Sequence, residues 1–485
     1  MSDMWKALEE HTRAWRDRER QAVADTVWGD YVTARFSRTG DRRALQFLYP
    51  YLNRADRHVR IKALEVAGRV FEGSGPAALP DLDYVTANTD PFLRDRAAIV
   101  VGAAVTGWDP PVVHETLRPY LNHRNRFIQR TAMTALARAT ARSASEAVLD
   151  EIIRVAEASG AGRREVAMAV ATVFEGRPTA RAYALVADLT PGPIHYNHDE
   201  ALGILTRGSS AEWYERACRD VFDRRLGVKA RPGEPWLQYF EPRNGVLALG
   251  PAGTGRGIDP LRRMLVARFH RPEVYAMLRE AQKCFHQADA DANRAPLVEL
   301  LKTGDVSTQR VAAVCLGRLL IGSGDEEAAA LLIDLTRARN AAVRAGAVRG
   351  LGMLAQSTLA KAAGERCLQM ADDEETAAAA IGAFGRIYLG SGQADVFAHL
   401  RDRAQAYRHR PTIGRHRYLP LQACYESTGR LYLGTGATDP VDFLLDPIVQ
   451  SRAAWDNYRW AAGRSLVMIE FPASTMERAW GVDWE

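Results

Sequence analysis

Residues 401–418 hold the densest group of side chains in this chain that could do binding chemistry. The stretch contains six arginines and two histidines, has Asp402 as its acid, and carries two tyrosines among the basic residues. Guanidinium groups bind phosphate and carboxylate bidentately, and aromatic rings stack on bases or on guanidinium planes. The predicted site for an anionic partner consists of Arg401, Arg403, Tyr407, Arg408, His409, Arg410, Arg415, His416, Arg417 and Tyr418.

A second interpretation of the same stretch stays open. The stretch could be an exposed loop whose arginines pair with acids from a preceding segment of the chain. These acids are Asp372, Asp373, Glu374 and Glu375. The two interpretations differ in where the guanidinium groups point, either toward a partner or back onto the protein itself.

A glycine-rich segment, Gly250–Gly257, follows the apolar run Gly245–Leu249. It resembles the phosphate-binding loop of the P-loop ATPases, in which a Lys contacts the phosphates and a Ser or Thr hydroxyl binds magnesium. Arg256 and Gly257 occupy those two positions, so both functional side chains are missing. The pattern therefore favours a helix end followed by a glycine turn. The surrounding insert still supplies a second set of candidate binding residues, Trp236, Tyr239, Phe240, Arg243 and Arg256.

Metal chemistry is suggested at one place, His198-Asp199-Glu200, which resembles the His-Glu motifs of deoxyhypusine hydroxylase, a di-iron enzyme. Iron binding of that type needs several His-Glu pairs, whereas here Asp199 separates the two residues and no partner motif is found. The five cysteines contain no Cys-x-x-Cys pair, which argues against zinc-knuckle and redox motifs. We expect no catalytic residues, no metal and no cofactor, and we expect reduced, buried thiols.

All these candidates are set in a repeated pattern. Its alanine recurs at steps of 34, 35 and 35 residues in Ala63, Ala97, Ala132 and Ala167. A phrase of Gly-Arg, three residues and Gly-Ser/Thr-Gly recurs at Gly68–Gly75, Gly317–Gly324, Gly385–Gly392 and Gly429–Gly436. Apolar residues at i, i+4 and i+7 predict a buried helical face, and the glycine after it predicts a left-handed C-cap. Because an amphipathic stretch precedes each unit, each repeat is predicted to be two antiparallel helices.

The pattern V-R-x-x-A-x-x-x-[LA]-G resembles the HEAT-repeat family, and most of all the short variant found in phycobilin lyase subunits and related bacterial scaffolds. The resemblance covers about residues 40–470. It implies an all-α fold, a right-handed α-solenoid of about 11–12 HEAT-like helix pairs. In that family the arginine of the pattern ties one repeat to the next, which implies this role for Arg60, Arg94 and Arg344.

Departures from the period predict the domain organisation. The expected parts, in chain order, are N-terminal capping helices (1–40), the first half of the repeats (41–225), an irregular Gly- and Pro-rich insert (226–259), the second half (260–470) with the basic loop 401–418, and a C-terminal cap or tail (471–485). Tryptophans concentrate toward both ends of the chain, where bulky side chains would close the core of a terminal repeat.

Composition limits the function classes. The 485 residues carry a formal net charge of +5, which is too small to argue nucleic-acid binding from overall charge. Hydrophobic residues make up 47%, as in a soluble globular protein, and the apolar runs are too short to span a bilayer. We therefore expect a cytoplasmic protein without membrane contact.

Three functional hypotheses follow. The first is a non-catalytic scaffold that binds a protein partner through the concave surface of the solenoid, with a few aromatic and arginine anchors. The second is a nucleic-acid-binding or DNA-repair type of HEAT protein that uses residues 401–418. The third is an accessory subunit similar to the lyases or hydroxylases, which would rest on fold analogy. The oligomeric state is left open.

Overall fold

The computed structural model describes residues 17–53, 57–82, 94–189, 198–206, 209–210, 212–213, 216–217, 290–304, 306–356, 360–409, 418–450 and 457–480. Apart from one short 3₁₀ turn at Pro76–Ala78, the regular elements of these residues are α-helices. In chain order they are α1 (Asp17–Phe36), α2 (Arg43–Leu52), α3 (Arg57–Phe71), α4 (Arg94–Ala104), α5 (Pro110–Leu121), α6 (Arg126–Ala139), α7 (Glu146–Ser159), α8 (Arg163–Val173), α9 (Ala180–Asp188), α10 (His198–Thr206), α11 (Ala290–Thr303), α12 (Val306–Leu319), α13 (Glu326–Leu335), α14 (Ala341–Leu354), α15 (Ala360–Met370), α16 (Ala377–Ile387), α17 (Ala394–His409), α18 (Tyr418–Leu431), α19 (Val441–Gln450), α20 (Asn457–Glu470) and α21 (Ala473–Trp480).

The helices form pairs that stack in two layers. Each first helix packs on the second helix of its own pair, as α13 does on α14, and successive second helices pack on one another, as α12, α14, α16, α18 and α20 do. The predicted all-α solenoid of HEAT-like pairs is therefore confirmed. The described residues contain nine complete pairs and the second helix of another. The other predicted pairs fall on residues outside the described ranges.

The chain divides into two compact units, which we treat separately. The 36–284 unit is Phe36–Cys284, and the 285–485 unit is Phe285–Glu485 together with Met1–Arg35. The helix expected to cap the start of the repeats, α1, is thus grouped with the C-terminal helices. Its Trp28 and Tyr31 are buried in that unit.

Glycines set how closely the second helices approach in the 285–485 unit. A Cβ added to Gly317 would lie 2.3 Å from the carbonyl oxygen of Gly350. The corresponding distances from the other packing glycines are 2.4 Å from Gly385 to Ser427 Cβ, 2.6 Å from Gly429 to Ser465 Cβ and 2.7 Å from Gly463 to Thr26 Cγ2. Since real Cβ atoms do not come this close to other atoms, any larger residue would push the neighbouring helix away. The last contact places α1 where the second helix of a further repeat would pack.

The Gly-Ser/Thr-Gly phrases work differently from the predicted caps. Gly390 and Gly392 have φ of +67° and +62°, so the chain turns here as expected. Their N–H groups, however, donate to the Arg430 and Leu431 carbonyls of the next second helix, at 2.8 and 2.9 Å. Equivalent bonds run from Gly73 to Ala103, Gly75 to Ala104, Gly434 to Met468 and Gly436 to Ile469. Because the last carbonyls of a helix lack partners within it, each phrase caps the helix of the following repeat.

The described cysteines fit the expectation of buried thiols. Cys315, Cys367 and Cys424 are buried, and burial raises the pKa of the Cys367 thiol to about 12. None of the helices within the described ranges combines the length and apolar character needed to cross a membrane.

Candidate binding surface

The predicted basic loop is helical in its first half. Residues 401–409 are the last turns of α17, because Val396, Phe397, Leu400 and Ala404 give that helix a continuous buried face. The prediction of a loop from residue 401 is therefore wrong up to His409. Tyr418 begins α18, while Arg410, Arg415, His416 and Arg417 lie outside the described residues. The insert candidates Trp236, Tyr239, Phe240, Arg243 and Arg256 also lie outside them.

Arg403 is bound to the preceding repeat. Its guanidinium donates to Asp372 Oδ1 at 2.6 Å and to the Ala371 carbonyl at 3.0 Å, and the Tyr407 hydroxyl donates to the same carbonyl at 3.1 Å. Partial burial disfavours the charged form of Arg403, but the hydrogen bond and charge of Asp372 outweigh it and raise its pKa. Ala371 directly follows α15, so Arg403 and Tyr407 close the end of that helix. Asp372 is one of the acids that the loop interpretation named.

Arg408 is bound to the following repeat. Its Nε donates to the Tyr425 hydroxyl at 3.1 Å, and its Nη1 contacts Asp446 on α19. Tyr425 is fully buried, and desolvation raises its pKa to about 12 although Arg408 opposes the shift. Arg408 thus joins α17, α18 and α19, and no sequence pattern had pointed to either partner.

Arg401 is the described arginine of this stretch that stays largely exposed. Its side chain is 56% accessible. Its Nε lies 3.8 Å from a carboxylate oxygen of Asp402, the next residue in the sequence. The guanidinium lies 6.0 Å from the centre of the Phe397 ring. Residues 401–409 therefore present one open guanidinium and two that hold helices together.

The repeat-linking role implied for Arg344 is confirmed. Arg344 donates to Asp373 Oδ2 at 2.7 Å and to the carbonyls of Ala338 and Arg339 at 3.2 and 2.9 Å. Asp373 lies between α15 and α16, so the ion pair connects two successive helix pairs. Burial raises the pKa of Asp373, but the hydrogen bond and charge of Arg344 outweigh this effect, and the net pKa is lowered. The side chain of Arg94 is outside the described set.

A second arginine set lies on the second helices themselves. We call the glycines at which one second helix contacts the next the packing glycines: Gly317, Gly352, Gly385, Gly429 and Gly463. The residue after each of them lies about 100° further around its helix. In α12, α16, α18 and α20 that residue is an arginine, Arg318, Arg386, Arg430 and Arg464. In α14 the position holds Met353, and Arg349 is one turn earlier. We call these five arginines the arginine row.

Burial fixes the side of the layer on which the arginine row lies. The residue before each packing glycine is buried in every one of these helices: Leu316, Leu351, Phe384, Thr428 and Ala462. The row arginines are all partly or fully exposed. The residues before the glycines thus face the first helices, and the arginines line the opposite side, which we call the open face.

The open face is rich in positive charge. The described positions of the open face one and two turns before the row arginines include one further arginine, Arg310, and one acid, Glu426. The others are neutral: Val314, Ala345, Ala378, Gly382 and Gln422. Glu426 lies 3.8 Å from Arg430. Two nitrogens of Arg318, Nε and Nη1, are buried and have no hydrogen-bond partner among the described residues.

An aromatic side chain stands at one end of the open face. Trp460 is 44% exposed, one of the few large hydrophobic residues so open among those described. It precedes Arg464 by four residues on α20, so the two side chains are neighbours on the helix surface. The sequence holds a signal for this set, because an arginine directly follows the first glycine of the repeated phrase.

The described residues contain no group of three His, Cys, Asp or Glu side chains that could hold a metal ion. His198, the start of the motif compared with iron ligands, is the first residue of α10.

Helix pairs, cross-repeat capping and an arginine-lined open face define an α-solenoid of HEAT-like repeats. No family model matches the chain, and no curated protein matches its sequence. A crystal structure of importin beta in an ammonium sulfate condition is similar over 89% of this chain and 64% of the other, with 11% identity and a TM-score of 0.36. The karyopherin Kap121p bound to the SUMO protease Ulp1p is similar over 95% and 51%, with 10% identity and a TM-score of 0.36. This chain thus spans less than two thirds of either one, and similarity at this level supports no conclusion about a partner.

Proposed function

We propose that this protein is a non-catalytic scaffold that binds a protein partner through the open face of the 285–485 unit. The observation that carries the proposal is the exposed Trp460 next to the arginine row. Trp and Arg are the residue types that most often dominate the energy of protein interfaces. Here arginine occupies the same register on four of five successive second helices, with Arg349 one turn earlier on α14, and Trp460 lies four residues before Arg464.

The packing of the layer favours binding as well. Glycine contacts hold the second helices closely together, and the cross-repeat bonds of Gly390 and Gly392 fix their ends. A surface held in this way loses little conformational freedom when a partner binds. Rigid presentation improves affinity because ordering costs are reduced.

The nucleic-acid alternative rests on residues 401–418. Arg403 and Arg408 are engaged in ion pairs with Asp372 and Asp446, which leaves Arg401 as the open described cation there. A phosphate backbone is bound through several cations at once. Within residues 401–409, the intramolecular pairs therefore weigh against the nucleic-acid alternative.

The test is affinity capture with the full-length protein in a nuclease-treated extract of its source organism. Three baits are compared: wild type, Trp460→Ala, and Phe127→Ala as the matched control. Phe127 is 71% exposed and lies in the other unit, so its removal takes away a comparable open aromatic ring. We expect a protein that is retained by wild type and by Phe127→Ala but lost with Trp460→Ala, and that binds the purified scaffold in calorimetry.

Identical retention by all three baits, or no retained protein, would contradict the proposal. A parallel capture without nuclease measures absorbance at 260 nm. Nucleic acid that is retained by wild type and released steeply by salt, but kept by Trp460→Ala, would support the alternative instead.

A further inference from the structure

We propose that the 36–284 unit carries a binding site for single-stranded nucleic acid, in which a base stacks on Phe127 and neighbouring arginines hold the phosphates. This function goes beyond the proposed scaffold and does not depend on it. The site lies where two successive second helices begin. It consists of residues 122–127, which lead into α6, and residues 160–164, which lead into α8, and we call it the basic edge.

Phe127 is the most exposed large hydrophobic residue among those described, with 71% of its surface accessible. Its position is fixed, because its N–H donates to the side chain of Asn125, the N-cap of α6, at 2.9 Å. The guanidinium carbon of Arg130, about one turn further along α6, lies 5.8 Å from the ring centre. The ring is therefore held in place with most of its surface in solvent, as a platform for base stacking requires.

The neighbouring connection leaves space next to this ring. The Nη2 of Arg130 donates to the Gly160 carbonyl, which brings the two parts of the basic edge together. Residues 160–162 are Gly-Ala-Gly and carry little side chain. A Cβ added to Gly160 would meet Arg130 Nη2 at 3.8 Å, and one added to Gly162 would meet the Glu165 carboxylate at 3.8 Å. A flat base thus has room beside the exposed ring.

The positive charge of the basic edge is not compensated within it. The two stretches contain four arginines and no acid. Arg124, Arg126 and Arg163 are exposed, and none of their side chains forms an ion pair or hydrogen bond with another described residue. The acid that follows in the sequence, Glu165, accepts from the Gly162 N–H at 3.1 Å in a capping box. Three open guanidinium groups are therefore available to bind phosphate.

An aromatic platform among open arginines favours single-stranded nucleic acid over other anions. A small anion would use the guanidinium groups and leave the ring without a contact. A duplex covers the faces of its bases by stacking them on one another, and an acidic peptide supplies charge without a flat ring at every residue. A single strand offers both a base face and a row of phosphates.

The experiment follows the fluorescence anisotropy of a fluorescein-labelled oligothymidine of about 12 nucleotides with the full-length protein. An abasic strand of the same length keeps the phosphates and lacks the bases. Phe127→Ala should weaken the oligothymidine about tenfold, the contribution of one stacked base, and should leave the abasic strand unchanged. Phe127→Trp should restore the affinity. Trp460→Ala removes an open ring from the other unit and should change neither affinity.

Salt dependence tests the arginines. Each phosphate contact on a single strand contributes about −0.7 to the slope of log affinity against log salt, so three contacts predict a slope of about −2. Arg126→Gln should make the slope less steep by about 0.7. The matched control, Arg138→Gln, removes an exposed arginine from the other end of α6 and should leave the slope unchanged. Thermal melts by circular dichroism establish that each variant is folded.

Equal affinities of wild type and Phe127→Ala for the oligothymidine, or no binding at all, would overturn this site. So would equal effects of Arg126→Gln and Arg138→Gln on the slope, or a duplex that binds as tightly as the single strand. A polyglutamate peptide that binds more tightly than the oligothymidine would overturn it in favour of an acidic protein segment. Strand binding that does not depend on Phe127 would point to residues 401–418 instead. The scaffold proposal is judged separately, because its capture uses a nuclease-treated extract and depends on Trp460.

Discussion

Arg459 donates a hydrogen bond from Nε to the Thr26 hydroxyl at 2.9 Å, across 433 residues of sequence. Four residues later on α20, Gly463 faces the same threonine. The rings of Tyr31 and Phe471 lie 5.6 Å apart in the same region. Within the 285–485 unit, α1 therefore completes the second-helix layer after α20, although it comes first in the chain.

This contact predicts the behaviour of a pair of substitutions. Gly463→Ala should lower the free energy of unfolding by about 1–3 kcal/mol, because its Cβ would overlap Thr26 Cγ2 and overpacking costs that much. Thr26→Ser removes Cγ2 and keeps the hydroxyl for Arg459. In the Thr26→Ser background, Gly463→Ala should cost much less. Urea titrations of the four proteins measure the coupling, and equal costs in both backgrounds would show that α1 does not pack there.

Two glycines of α16 provide a matched test of helix approach. A Cβ at Gly385 would lie 2.4 Å from Ser427 Cβ and 2.6 Å from its Cα, whereas a Cβ at Gly382 meets nothing within 4 Å. Gly385→Ala should destabilise by about 1–3 kcal/mol. Gly382→Ala should stabilise by about 0.5–1 kcal/mol, because alanine is the better helix former. Unfolding curves that move in the same direction would contradict the packing described for this layer.

The helix pairs were predictable from the sequence because periodic apolar residues and small residues are local signals. The target of the Gly390 and Gly392 amides was not, since a positive φ can cap a helix of its own repeat or of the next. The face of the helix on which an arginine lies could not be predicted either. It depends on which residue the preceding glycine contacts in the neighbouring helix, and Gly429, for example, contacts Ser465. The partners of Arg408 come from two other helices, and no spacing rule connects them.

The cross-repeat caps predict a conformational cost at Gly392. Its φ is +62°, in the left-handed region. A Cβ added there would lie 3.9 Å from its nearest neighbours, in Tyr432 and Thr435, so a side chain has room but the backbone conformation is strained. Gly392→Ala should cost about 1–2 kcal/mol, the penalty of the left-handed region. Gly392→Asn should cost less, since asparagine tolerates this conformation. Thermal unfolding ranks the variants, and equal stability of all three proteins would contradict the left-handed turn.

Asp325 predicts a dependence on acidic pH. Its pKa is lowered, first by the Arg294 hydrogen bond at 2.8 Å, against opposing desolvation, and it also accepts from the Ala328 N–H as an N-cap. A lowered folded pKa gives stability that is present above the unfolded value of about 3.9 and is lost as pH falls through the folded value.

Asp325→Asn isolates this charge, because asparagine is an equally good N-cap. The variant should be less stable than wild type at neutral pH, and the difference should vanish below the folded pKa. Urea titrations across the acidic range measure it. A difference that stays constant with pH would mean that the Arg294 pair does not stabilise the fold.

Arg408 and Arg401 separate scaffold arginines from open ones. Arg408→Ala removes the donors to the buried Tyr425 hydroxyl and the contact with Asp446, and should cost about 1–3 kcal/mol. Arg401→Ala, at an exposed position on the same helix, should change stability by no more than about 0.5 kcal/mol. Tyr425→Phe in the Arg408→Ala background should recover part of the loss, because the polar group left by the arginine is removed with it. If Arg408→Ala were instead neutral for stability and lowered nucleic-acid retention, residues 401–418 would be the anionic-partner site that their composition predicts.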